Sequence, residues 1–294
     1  MNLTCSETGQ LPVGEGRGAD LKPELGRLAV HTMTHRPWAV ERCIEAYAAA
    51  GMGGITLWRR DFAGREAAAV GRRVREAGLV CAGLARGGFF PALTANGRQA
   101  AVDENKRAID EAAACGAPGL VLVCGAVPGQ ALGESRRQVG EGIAACVEHA
   151  RAAGVKLAVE PLHPMYADTR SAVVTLGQAN DLCDWLGGPA EVGIAVDVYH
   201  TWWDAALEGE IARAGVAGRL LAFHVCDWRS PTEDLLNDRG LMGEGGIPLR
   251  QIRAWMEGAG FAGFCECEIF SNRRWAQDQD AYLAAILEAY QQHC

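Results

Sequence analysis

The chain has 294 residues, 49% of them hydrophobic, enough to bury a large core in one α/β barrel or two smaller domains. A formal net charge of -8 argues against a general nucleic-acid surface, which needs clustered Lys and Arg to neutralise phosphates. Eleven cysteines are scattered, odd in number and mostly within apolar runs, which excludes a disulfide framework and a zinc–cysteine site in favour of buried thiols.

In chain order, residues 1–26 are rich in Gly, Pro and polar residues and read as a flexible N-terminal arm. No basic segment followed by an apolar stretch opens the chain, and no window is apolar enough to span a bilayer, so a cytoplasmic protein is expected. From residue 27 to 294, strands are predicted at LAVHT, GITLW, LVCAGL, GLVLVCG, KLAVE, GIAVD, LLAFHV and FCECEIF. Amphipathic segments such as AVERCIEAYAAAG, GREAAAVGRRVREAG and GEGIAACVEHARAAG lie between them and end in Gly, as a left-handed helix C-cap requires. Eight strand–helix units in about 270 residues predict a single (β/α)8 TIM barrel. An open doubly wound sheet would need a Gly-rich phosphate turn after its first strand, and LAVHTMTHRPW has none. Two longer loops, Pro161 to Thr175 and Trp228 to Pro248, are expected on the barrel mouth.

Four of the last strands close on a metal-ligating residue type: Glu160, Asp197, His224 and Glu268. Their strand ends converge on one mouth in a parallel barrel. Two-residue periodicity puts Glu160 on the face of Ala158, Asp197 with Ala195 and Gly193, and His224 with Ala222, small residues suited to a crowded interior. Glu266 shares the inward face of Glu268 and is expected one layer deeper. Any one of these could be a strand-end cap, but four on consecutive units read as a divalent-metal site with room for substrate. His200, three beyond Asp197, has the opposite parity and suits a substrate contact, and His163 invites the same weighing against a loop hydrogen bond. Asp227 could orient His224, pair with Arg229 or cap a loop. Trp58, Phe89, Phe90, Trp202, Trp203 and Trp228 crowd the strand ends, where flat rings suit sugar C–H faces, although core packing is expected for at least half.

These segments, AVEPLHP, VDVYHTWWD, FHVCDW with PTEDLLNDRGLMGEGGI, and GFAGFCECEIFS, resemble the sugar phosphate isomerase/epimerase superfamily, also described as xylose isomerase-like TIM barrels or AP endonuclease family 2. The resemblance runs from about Leu28 to Tyr290. It implies one divalent ion on Glu160, Asp197, His224 and Glu268, with Mn²⁺ expected first and Mg²⁺, Co²⁺, Fe²⁺ or Zn²⁺ compatible. Glu160 and Glu268 would also act as acid and base, His200 and His163 would contact substrate, and Arg229, Trp58 and Trp202 are further candidate contacts. GITLW places Thr56 where many relatives carry Glu, which leaves the substrate open. Relatives that repair DNA use additional histidines for a multi-metal cluster, and seven histidines on an acidic chain argue against that activity. The expected function is isomerisation or epimerisation of a ketose or keto-cyclitol through a metal-stabilised enediolate. The alternative is a lyase or dehydratase that acts on a 3-keto-sugar, keto-glycoside or keto-inositol by β-elimination, and a non-catalytic sugar binder ranks third. The expected partner is a small-molecule carbohydrate, with no nucleic acid and no membrane, and a homo-oligomer is compatible with the sequence.

Overall fold

The computed structural model describes residues 24–294, so residues 1–23 of the expected arm lie outside the described residues. The described part begins with a 3-10 turn, Leu25–Arg27, whose Leu25 carbonyl accepts from the Gly53 N–H at 3.1 Å. Eight parallel strands follow: β1 (Leu28–His31), β2 (Gly54–Trp58), β3 (Val80–Gly88), β4 (Gly119–Val123), β5 (Lys156–Glu160), β6 (Val192–Asp197), β7 (Leu220–Val225) and β10 (Cys265–Cys267). They close into a barrel in the order β1-β10-β7-β6-β5-β4-β3-β2. Between β7 and β10, β8 (Asp227–Trp228) and β9 (Arg239–Gly240) form a separate antiparallel ribbon. The chain is therefore the expected α/β TIM barrel.

The covering helices are α1 (Val40–Ala49), α2 (Ala67–Glu76), α3 (Ala95–Cys115), α4 (Leu132–Ala153), α5 (Leu176–Trp185), α7 (Leu207–Val216), α8 (Leu249–Gly258) and α10 (Gln279–His293). Two short helices, α6 (Val198–Thr201) and α9 (Asn272–Trp275), sit in mouth loops. Local chemistry sets the helix limits. Thr94 and Thr175 accept from the N–H groups of Gly97 and Gln178 and so cap α3 and α5. Gly154 ends α4 at φ 69°, a conformation that a β-carbon would oppose. Along α4, Val139, Ile143, Cys146, Val147 and Ala150 recur at helical spacing and are all buried.

Two cores result. The larger lies between strands and helices and takes the outward strand residues Val159, Val196 and Phe223. The smaller is a plug inside the barrel, made by Val121, Ala158, Ala195 and Ala222. Above the plug the inward side chains turn polar, beginning with Thr56, whose hydroxyl donates to Glu266 Oε2 at 2.6 Å. The ten described cysteines are all unpaired, and no described helix is long and apolar enough to cross a membrane.

Candidate functional site

In the barrel order, β10, β7, β6 and β5 are consecutive neighbours. Their ends bring Glu160, Asp197, His224 and Glu268 together, all buried, with one potential ligand atom from each lying within 4.8 Å of the others. Glu160 and Glu268 stand at the two ends of this arc, and His224 and Asp197 lie between them. His224 Nδ1 is 2.8 Å from Glu160 Oε1 and 3.9 Å from Glu268 Oε2. Asp197 divides its carboxylate: Oδ1 accepts from the Tyr199 N–H at 2.8 Å and caps α6, while Oδ2 faces Arg239 Nη1 at 2.9 Å.

Two further residues complete the cluster, and neither stands out in the sequence. His31, the last residue of β1, puts Nδ1 3.3 Å from Glu268 Oε1 and Nε2 3.6 Å from Glu266 Oε2. Arg239, on β9, donates to Asp197 and, at 2.8 Å, to Glu268, and its guanidinium lies over the rings of Tyr199 and Phe270. Arg239 Nη2 also lies 3.1 Å from His200 Nε2. A guanidinium can only donate, so His200 Nε2 accepts and its proton sits on Nδ1, which has no partner among the described residues.

Electrostatics follow from burying this many charges together. Burial works against the charged form of His224, but the hydrogen bond and charge of Glu160, with Glu266 and Glu268, raise its pKa to about 10. Burial drives the Asp197 pKa up to about 7 despite Arg239, with Glu268 and Glu160 adding to the rise. Burial also pushes Glu268 upward, yet His31 and Arg239 hold it well below the usual carboxylate range. Burial, joined by the charge of Arg239, keeps His200 well below the ordinary histidine range and therefore neutral.

A divalent metal fits this set. Three carboxylates and one imidazole are donors suited to Mn²⁺, Mg²⁺, Fe²⁺ or Zn²⁺. The hydrogen bonding also shows an unmet need. Trp58 Nε1 lies 3.1 Å from His31 Nδ1 and requires that nitrogen to accept, whereas Glu268 on the same nitrogen requires it to donate. Both cannot be satisfied, and a cation that takes up Glu268 would release His31 to accept from Trp58. In charge terms, Glu160, Asp197, Glu266 and Glu268 are met directly by Arg239 and whatever protons His31 and His224 carry, with Arg86 acting on Glu160 and Glu268 at longer range. A dication replaces two such protons without changing the balance.

The other sequence candidates are placed as follows. Trp58 borders the cluster through His31 and packs on Phe270 at 5.4 Å. His200 reaches the cluster through Arg239 and also lies 3.6 Å from Asp197 Oδ2 by its Nε2. His163 caps a 3-10 turn, with Nδ1 accepting from the Met165 N–H at 3.2 Å, and its ring meets Trp228 and Trp203 at the mouth. Arg229 is instead paired with Asp238, and Arg239 is the arginine that reaches the cluster, because the β8–β9 ribbon folds it back over the barrel. Trp202 packs against Trp228 at 5.9 Å and against the outer core. Phe90 is a core residue. Asp227 serves as a loop cap, accepting from the N–H groups of Trp228, Gly243 and Ile247.

Comparisons with known proteins agree with this fold. A family model described as xylose isomerase-like TIM barrel matches residues 44–289. The chain is similar to a protein from Sinorhizobium meliloti 1021, with 48% identity, 92% of this chain and 99% of that one covered, and a TM-score of 0.88. A zinc-bound IOLI protein shares the fold at 18% identity and a TM-score of 0.78, over 90% of this chain and 96% of that one. D-psicose 3-epimerase shares it at 16% identity and a TM-score of 0.71, over 90% and 96%. No curated protein matches the chain.

Proposed function

The chain belongs to the xylose isomerase-like TIM barrel family, and from that premise we propose that it is a metal-dependent isomerase or epimerase of a ketose or keto-cyclitol. The observation that carries this reading is the arc itself: two glutamates from non-adjacent strands flank an aspartate and a histidine, all within coordinating distance. A sugar binder has no use for paired buried bases. A divalent ion held by Glu160, Asp197, His224 and Glu268 would polarise a carbonyl and its neighbouring hydroxyl, which acidifies the proton between them.

The remaining work falls to the chain's own residues. Glu160 or Glu268 removes the α-proton, and the carboxylate at the other end of the arc returns one to the other face or carbon. Arg239 and His31 keep Glu268 ionised and hold its position. His200, neutral and with an unpartnered Nδ1–H, can donate to a substrate oxygen. Trp58 and Phe270 provide an apolar wall that limits water at the reacting carbon. The β-elimination alternative needs a separate acid for the leaving group. Asp227 is poorly suited to that role because three backbone N–H groups engage its carboxylate.

The test is incubation of the Mn²⁺-loaded protein in D₂O with a panel of ketoses and 3-keto-glycosides. Deuterium should enter the carbon beside the carbonyl and an isomer should accumulate, with Glu160→Gln and Glu268→Gln each slowing exchange by about 10²-fold or more. Release of an aglycone with no epimer would replace this reading with the lyase.

A further inference from the structure

Beside the carboxylate cluster, the ends of β2 and β3 open into a cavity of about 360 Å³, walled in part by Trp58, Arg59, Arg86, Phe89 and Asn105. Arg59 is neutralised there by Glu104 and Glu111. Arg86 is half-buried and has no acidic partner among the described residues; its guanidinium lies over the Phe89 ring, 4.4 Å from the centroid.

Phe89 is the single non-glycine residue with positive φ among the described residues, at 54°. That conformation is costly for a residue with a bulky side chain. Packing does not repay the cost, because the residue remains 39% exposed. The backbone around it is nevertheless clamped. Asn105 Oδ1 accepts from the Gly88 N–H at 2.6 Å, Asn105 Nδ2 donates to the Gly88 carbonyl at 2.7 Å, and the Phe89 N–H donates to the Val123 carbonyl at 2.8 Å. At Gly88 itself a β-carbon would lie 1.9 Å from the Val123 oxygen. What this built turn supports is the ring beneath Arg86.

A second guanidinium, on the loop after β5, lies close enough for its charge to act on Arg86. Arg170 is half-buried, lies over the Tyr166 ring at 5.7 Å and likewise lacks an acidic partner among the described residues. Its carbonyl accepts from the Gly125 N–H at 2.9 Å, and a β-carbon on Gly125 would come within 2.7 Å of Phe89 Cα. The Arg170 backbone therefore meets the turn that carries Phe89, the ring beneath Arg86. Burial, and next the charge of Arg170, hold the Arg86 pKa below the ordinary arginine range, while Glu160 and Glu268 oppose the shift.

We propose that Arg86 and Arg170 form an oxyanion subsite beside the carboxylate cluster, so that the sugar handled there is acidic and carries a carboxylate or phosphate away from its reacting carbonyl. The inference rests on the sugar-isomerase reading for the position of the carbonyl. A divalent ion on the cluster would take up Glu160 and Glu268, the acidic groups that act on Arg86. A neutral ketose would then leave both stacked cations without a close counter-charge, whereas an oxyanion accepts charge-assisted hydrogen bonds from them.

The test is calorimetric binding of D-fructose, D-fructuronate and D-fructose 6-phosphate to the metal-loaded protein. At least one acidic ketose should bind about tenfold or more tighter than D-fructose, and which one does so separates a carboxylate from a phosphate. Arg86→Gln and Arg170→Gln should each erase most of that ratio. Arg86→Lys, which keeps the charge but loses the planar fork, should retain part of it and carries the test should a glutamine variant not fold. Equal or absent binding of all three sugars, or a ratio unchanged in the variants, would overturn the proposal. Binding is read without turnover, so a lack of deuterium exchange would count against the isomerase reading alone.

Discussion

Metal affinity should rise steeply with pH, and faster below neutrality than above it. A ligand must lose its proton before it can bind a cation. With no metal bound, His224 keeps its proton up to about pH 10 and Asp197 up to about pH 7. Binding below pH 7 therefore expels two protons, and apparent affinity should climb about 100-fold per pH unit. Between pH 7 and pH 10 it expels one, for about tenfold per unit, or about 1.4 kcal/mol. From pH 6 to pH 9 the gain should reach about 10⁴-fold. Stability of the metal-free protein runs the opposite way. The folded pKa of His224 exceeds its unfolded value of 6.5, so its contribution is full below that pH and is lost as pH rises toward 10. The folded pKa of Asp197 also exceeds its unfolded value of 3.8, so ionising it costs increasing stability between pH 3.8 and about 7. The assay is titration of chelator-stripped protein with Mn²⁺ across this range, in buffers of different ionisation enthalpy so that released protons are counted. His224→Gln should lower the count by one. A flat affinity profile with no proton release would mean that His224 does not exchange its proton for a metal, and the ligand set would be wrong.

Arg239→Met removes the guanidinium that bridges Asp197 and Glu268 and leaves two buried carboxylates facing each other. Without metal this should cost about 3 kcal/mol or more, a melting-point fall of about 6 °C or more in scanning calorimetry, and saturating Mn²⁺ should recover part of it; a fall below about 2 °C would show that Arg239 does not neutralise them. His200→Gln should keep about one Mn²⁺ per chain by elemental analysis while deuterium exchange slows by about tenfold or more, through loss of a substrate hydrogen bond; a folded but metal-free variant would move His200 into the ligand set.

Most of the fold is legible because a parallel barrel buries both faces of each strand, which then reads as a short apolar run between amphipathic helices. The deviations occur where that rule lapses. Leu84 was the expected end of the third strand, yet β3 continues to Gly88 through ARGG, where pairing with β4 survives a register shift between Ala85 and Gly87. The eighth strand reads from Phe264 to Phe270 in sequence, but only Cys265–Cys267 pair as strand. Beyond them the backbone is taken up by other partners. The Ile269 N–H donates to Thr34 Oγ1, and the Phe270 carbonyl accepts from the Arg239 N–H. Neither exchange leaves a periodic trace.

In the site, a residue is readable when it stands at or beside the end of its own strand and hidden when topology brings it there. Glu160, Asp197, His224 and Glu268 belong to the first kind. His31 ends β1 in the same way, yet it lies far in sequence from the other four. Barrel closure makes β1 the neighbour of β10, with Val30 level with Cys267, so that His31 falls beside Glu268. The first strand of a closed barrel therefore has to be read together with the last. Arg239 has a different cause. Proximity along the chain favours Arg229, one residue past β8, but an antiparallel ribbon returns upon itself and pairs Arg239 with Trp228. Distance in sequence then says nothing about distance in space. The signal that could have singled out Arg239 is electrostatic: four inward carboxylates in one barrel cannot be buried without cations. A search of the long loop after β7 for a cation able to answer them admits both arginines, and Asp238, one residue before Arg239, offers Arg229 a partner outside the barrel.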